Sequence, residues 1–165
     1  MATVSLSLDE IYKLANKTLL ANGCDQETAD ILSELITNAE RDGSLSHGLF
    51  RLPAYVSGLK SGKINGKQKP DIKKLTPSVI KADGKNCLAP VVLNKSIPEL
   101  VKAAKENGVA VLAIINSHHM AAMWPETEKI AEEGLVAFAC TSYKPAVAPA
   151  GAIKPLFGTN PISFA

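Results

Sequence analysis

The feature that most constrains the fold is the unbroken apolar run Val109-Ala110-Val111-Leu112-Ala113-Ile114-Ile115. Such a run predicts a fully buried strand, because a half-exposed strand alternates apolar with polar residues. It is far too short to cross a bilayer. The polar Asn116-Ser117-His118-His119 follows at its C-terminal end. A helix is then expected from about Trp124-Pro125 to Glu133, closed by Gly134, and Leu135 to Thr141 reads as a second buried strand. Strand, helix, strand predicts an α/β layer, and polar residues at the C-terminal ends of such strands commonly build a site.

The first third reads differently. Ser7-Leu8-Asp9-Glu10 is a capping box, in which the serine oxygen takes a backbone N–H and the glutamate reaches back. Ile11, Leu14, Ala15, Thr18 and Leu19 fall on one face of the helix it starts, and Asn22-Gly23 ends that helix. Asp25 caps a second helix with Ala29, Leu32, Ile36 and Ala39 at helical spacing, broken at Asp42-Gly43. Together they predict a helical hairpin. Beyond it, Pro53 leaves two possibilities open: a kinked helix, or one that starts nearer Leu52. Tyr55, Val56 and Leu59 continue an apolar face as far as Gly62, and residues 65–70 read as a basic, polar loop.

Residues 78–82 read as a strand turning at Asp83-Gly84. Ser96-Ile97-Pro98-Glu99 reads as a second capping box with proline in the first turn, opening a helix that buries Leu100, Val101 and Ala104. The expected organisation is a helical segment over residues 1–75 followed by an α/β sheet domain over residues 76–165. The apolar stretch Pro161-Ile162-Ser163-Phe164-Ala165 looks like a strand entering a core, so the sheet domain is expected to be truncated at the C-terminus and the sequence to be the first part of a longer chain.

Composition excludes several classes. Eighteen basic and 16 acidic residues give a net charge of +2, too balanced to argue for nucleic acid or an anionic membrane. The start, Met1-Ala2-Thr3-Val4-Ser5, has neither the basic region nor the apolar core of a signal peptide. Cys24, Cys87 and Cys140 are odd in number and widely spaced, which points to reduced thiols in a cytoplasmic protein.

The chemistry concentrates in Ser44-Leu45-Ser46-His47-Gly48-Leu49-Phe50-Arg51-Leu52-Pro53. A histidine exchanges a proton near neutral pH, and an arginine four residues on grips a carboxylate with two parallel hydrogen bonds. On a helix the two would share one face. The pattern alone also fits a solvated helix face with Ser46 as an ordinary cap. His47, His118 and His119 lack an acidic partner at metal-ligand spacing, so no metal is expected. No G-x-S-x-G supports Ser46 as a hydrolytic nucleophile.

Taken together, SHGLFRLPAYVSGLKSGKIN and NSHHMAAMWPETEKIAEEGLVAFACTSYKPAVAPAGAIKPLFGTNPISFA resemble the type 2 malate/L-lactate dehydrogenase family over nearly the whole chain, which corresponds to the first half of its members. HHMAAMWP is most similar to the Δ1-piperideine-2-carboxylate and Δ1-pyrroline-2-carboxylate reductases of that family. The resemblance implies an NADPH- or NADH-dependent oxidoreductase on a non-Rossmann fold, forming a homodimer and acting on a small 2-oxo, 2-hydroxy or cyclic 2-imino acid. None of the 11 glycines here makes a G-x-G-x-x-G, in keeping with such a fold. Residue by residue, the resemblance makes His47 the proton donor and Ser46 its orienter, and puts Arg51 and Thr159 on the substrate. It puts the cofactor on His119, Met120, Ala121, Ala122 and Met123. Many family members have a threonine-asparagine pair where this chain has Thr141-Ser142-Tyr143, and the family's catalytic aspartate falls beyond Ala165. The 165 residues alone are therefore expected to be inactive. The alternative is a non-catalytic member that only packs with a partner chain.

Overall fold

A computed structural model describes residues 4–165, so the reading of the N-terminus at Met1–Thr3 lies outside the described residues. The fold is α/β, in two compact units that meet in sequence at Ala122/Met123. The described residues contain no helix long and apolar enough to cross a membrane.

The first unit begins with the expected helical hairpin. The first helix, α1, spans Leu8–Ala21, and its capping box at Ser7 and Glu10 is formed on both sides. The second, α2, spans Gln26–Arg41, with the Asp25 side chain accepting from the Thr28 N–H. Ile11, Ala15 and Leu19 of α1 and Ala29, Leu32, Ile36 and Ala39 of α2 are buried. Leu14, expected on the inner face, is exposed. Gly23 turns the corner with φ of 104°, in the left-handed region that glycine enters without a Cβ clash.

Two short 3-10 turns, Leu45–His47 and Leu49–Arg51, follow, and then α3, Leu52–Lys60, with Pro53 in its first turn. The open choice at Pro53 resolves to a helix that starts at Leu52, where the missing N–H costs nothing. Tyr55 of α3 is fully buried in the core of the hairpin, along with Leu52.

A three-stranded sheet comes next: β1, Asp71–Thr76, β2, Val79–Asp83, and β3, Val111–Ile115, in the order β1-β2-β3. β1 and β2 pair antiparallel, with an irregularity between Lys74 and Thr76, and β2 and β3 pair parallel. The crossover between them is α4, Ala89–Asn107. It starts seven residues before the expected capping box. Leu88 is its N-cap and Pro90 lies in its first turn, so Ser96 is interior and Pro98 sits inside the helix. The reason is tertiary. Val91 packs into the core with α1, α2 and α3, while Val92 packs with Ala82 and Cys87 under the sheet. That burial holds the turn before Ser96 helical and overrides the local signal.

Nor is β3 buried on both faces. Leu112 and Ile114 pack toward Val92 and are half-buried, whereas Val111, Ala113 and Ile115 are exposed. An unbroken apolar run carries no alternation to say which face is covered.

The second unit contains α5, Trp124–Ala131, and two short antiparallel strands, β4, Phe138–Cys140, and β5, Ile162–Phe164. The strand expected over Leu135–Thr141 is reduced to β4, and its outer residues Phe138 and Cys140 are exposed rather than buried. Thr127 Oγ1 and Ser163 Oγ lie 2.7 Å apart and hold α5 to β5.

Candidate active site

The site candidates of the first unit gather where α2, the 3-10 turns, α3 and the end of β3 come together. Ser46 Oγ lies 2.9 Å from His47 Nδ1, and Ser44 Oγ lies 3.5 Å from the same nitrogen. When the Ser46 hydroxyl donates to Nδ1, the neutral ring carries its proton on Nε2; when the ring is an imidazolium, Nδ1–H donates to the hydroxyl. Either way the ring orientation is fixed. His47 is half-buried. Burial pushes its imidazole below the ordinary value of 6.5, and the Arg51 and His119 charges push the same way. Arg51 and His119 therefore both lie within electrostatic reach of His47.

Arg51 opens α3 as its N-cap residue. Its Nε is buried and has no hydrogen-bond partner among the described residues, and its guanidinium carbon is 6.0 Å from the Phe50 ring centroid. A buried guanidinium N–H without a partner suits a carboxylate, which accepts from Nε and one terminal nitrogen at once.

The second motif is held by main-chain bonds. Asn116 turns the chain after β3 with φ of 50°. The His118 N–H donates to the Cys87 carbonyl at 3.1 Å, and the Ala89 N–H donates to the His118 carbonyl at 2.9 Å. The stretch that follows is tied to α3, since the Tyr55 hydroxyl donates to the Met120 carbonyl at 3.3 Å. Ala121 and Ala122 are buried small residues. No three His, Cys, Asp or Glu side chains converge as a metal site among the described residues.

Ser46, His47, Arg51 and His119 are thus grouped, with Met120, Ala121 and Ala122 next in the chain. Met123 and Thr159 belong to the second unit. Met123 is the N-cap residue of α5. Thr159 is exposed, next to Asn160, whose Oδ1 accepts from the Tyr143 N–H at 3.0 Å. Two contributors escaped the sequence reading. Tyr55 was legible only as an apolar helix residue. Glu40, whose Oε1 accepts from the Leu49 N–H at 2.7 Å, carries no signal at all in its spacing.

Comparison with known proteins decides the family. Residues 6–165 match the family of malate/L-lactate dehydrogenases. This chain belongs to that family. A Delta(1)-pyrroline-2-carboxylate/Delta(1)-piperideine-2-carboxylate reductase of Pseudomonas syringae pv. tomato is 41% identical over 162 residues, covering 98% of this chain and 47% of the relative. A (2R)-3-sulfolactate dehydrogenase (NADP(+)) of Chromohalobacter salexigens is 38% identical over 160 residues, covering 97% and 48%. The crystal structure of the delta1-piperideine-2-carboxylate reductase from Pseudomonas syringae superposes with a TM-score of 0.91 at 41% identity, covering 98% of this chain and 49% of that one. The chain spans about half the length of the curated malate/L-lactate dehydrogenase relatives it matches.

Proposed function

We propose that this chain provides the proton-donating and carboxylate-gripping part of an NADPH- or NADH-dependent oxidoreductase acting on a small 2-oxo, 2-hydroxy or cyclic 2-imino acid. The observation that carries the reading is the grouping of Ser46, His47 and Arg51. An oriented imidazole stands beside a guanidinium whose buried Nε–H has no acceptor among the described residues. Arg51 pairs with the substrate carboxylate and fixes the adjacent C=N or C=O bond relative to the ring. A nicotinamide cofactor, when bound against His119, Met120, Ala121, Ala122 and Met123, supplies the hydride to the carbon. His47 gives its proton to the nitrogen or oxygen as negative charge develops there, and Ser46 keeps the ring aimed. In the oxidative direction the neutral ring takes that proton back. A homodimeric assembly belongs to the same proposal.

The test is to follow nicotinamide absorbance with a purified full-length chain that carries these residues, since the 165 residues alone are expected to be inactive, using NADPH or NADH and Δ1-pyrroline-2-carboxylate, Δ1-piperideine-2-carboxylate, pyruvate or oxaloacetate in turn. Turnover that disappears in His47→Ala, with cofactor affinity kept, supports the assignment. A His47→Ala variant with unchanged kcat removes His47 as the proton donor.

A further inference from the structure

We propose that Glu40 is a positioning residue for the His47–Arg51 pair, acting as a hydrogen-bond acceptor for the main chain between them. The inference rests on the function proposed above and adds a residue that touches neither substrate nor cofactor. The segment carrying Ser46 and His47 is bracketed by two consecutive residues of α2. At its start the Ser44 N–H donates to the Ala39 carbonyl at 2.8 Å. Just past its end the Leu49 N–H donates to Glu40 Oε1 at 2.7 Å.

Between them lies Gly48, the joint of the two 3-10 turns, and the Glu40 carboxyl group occupies the space beside it. A Cβ added at Gly48 would lie 2.1 Å from Glu40 Oε1 and 2.5 Å from Cδ, so glycine is what lets the carboxyl group in. The Arg51 N–H in turn donates to the Gly48 carbonyl at 2.9 Å. His47 precedes this joint and Arg51 hangs from it, so the bond to Leu49 sets the spacing between proton donor and carboxylate grip. No other side-chain group bonds the Leu49 amide among the described residues. An acceptor oxygen is all the role requires, and a glutamine carbonyl offers one in the same place.

The experiment compares Glu40→Ala with Glu40→Gln in the whole protein. In Glu40→Ala the Leu49 amide should lose hydrogen-exchange protection, and the His47 titration midpoint, read by NMR, should move up toward 6.5 as the ring loosens. With Δ1-pyrroline-2-carboxylate and NADPH, kcat/KM should fall about 100-fold, the scale of a small misplacement, while NADPH affinity is unchanged. Glu40→Gln should restore all three readouts. Should Glu40→Ala not fold, Glu40→Asp, whose shorter arm withdraws the oxygen, takes its place in the same measurements. Unchanged protection and unchanged titration in the variant overturn the proposal, as does a glutamine variant as damaged as alanine. Protection and titration that respond as expected in a protein without turnover leave the positioning role standing and count against the proposed function.

Discussion

The Tyr55 hydroxyl of α3 donates to the main-chain carbonyl of Met120, joining residues 65 apart in sequence at 3.3 Å. Tyr55 is fully buried, and that burial pushes its phenol well above its ordinary range, so the group is a fixed donor at any pH the protein meets. This bond links α3, which starts at Leu52 directly after Arg51, to the stretch proposed to hold the cofactor.

Tyr55→Phe keeps the ring and removes the donor. It should lower unfolding stability by about 1 kcal/mol, the net worth of one such bond. It should also weaken cofactor binding more than substrate binding, because Met120 is the freed partner. Urea unfolding and cofactor titration read the two effects. Full stability together with full cofactor affinity would show that the bond does not hold the stretch in place.

The His47 depression makes a pH prediction with a definite sign. The folded-state value lies below 6.5, so near pH 7 the ring is mostly neutral in the free protein. Because kcat/KM reports the free enzyme, reduction should be fastest on the acid side and fall as pH rises through a midpoint below 6.5. Oxidation should rise across the same midpoint and level off near neutrality. The stability sign agrees with a depressed base: the unfolded chain binds the extra proton, so this contribution is full above 6.5 and is lost as pH falls through the folded value. A ring midpoint above 6.5 by NMR would contradict the site's electrostatics.

The three thiols should separate by reactivity. Burial, with the Asp25 charge adding to it, pushes the Cys24 thiol up to about 11, and burial raises Cys87 in the same direction. Cys140 is exposed in β4. A thiol reagent at mildly alkaline pH should label Cys140 first, and Cys24 and Cys87 only after unfolding. Peptide mass spectrometry over time reads the order. Native labelling of Cys24 at the Cys140 rate would mean that the core around α1 and α2 is open.

What was legible in the sequence was local. Ser7, Glu10 and Asp25 announce their helices because a cap is satisfied within one turn, and the α2 face follows from spacing alone. The Ser46-His47-Arg51 grouping is also confined to a few residues. What was not legible depended on distant partners. Ser96 imitates a cap, yet the burial of Val91 and Val92 carries the helix through it. β1, with Lys73 and Lys74 exposed at its centre, lacks an apolar signature and exists through pairing with β2. Tyr55 and Glu40 reach main-chain atoms that only tertiary structure brings near.

Arg51 gives the sharpest test of substrate chemistry. Lysine at this position keeps the positive charge but replaces a planar fork with a point charge, and it has no counterpart to the buried Nε–H. Arg51→Lys should therefore raise KM for a 2-oxo or 2-imino acid by roughly 10- to 100-fold, the equivalent of losing one charge-assisted hydrogen bond of about 1.5–3 kcal/mol. Cofactor affinity should change little, because Arg51 is proposed to hold the substrate carboxylate and is not one of the residues proposed to hold the cofactor. The His47 midpoint should stay below 6.5, since a cation remains beside the ring and burial is unaltered. The decisive comparison sets the carboxylic acid against the corresponding uncharged ketone. A carboxylate grip predicts that Arg51→Lys penalises the acid and leaves the slow turnover of the ketone where it was. Equal losses for the two substrates would mean that Arg51 acts through the fold of the 3-10 turns, and the carboxylate assignment would fall.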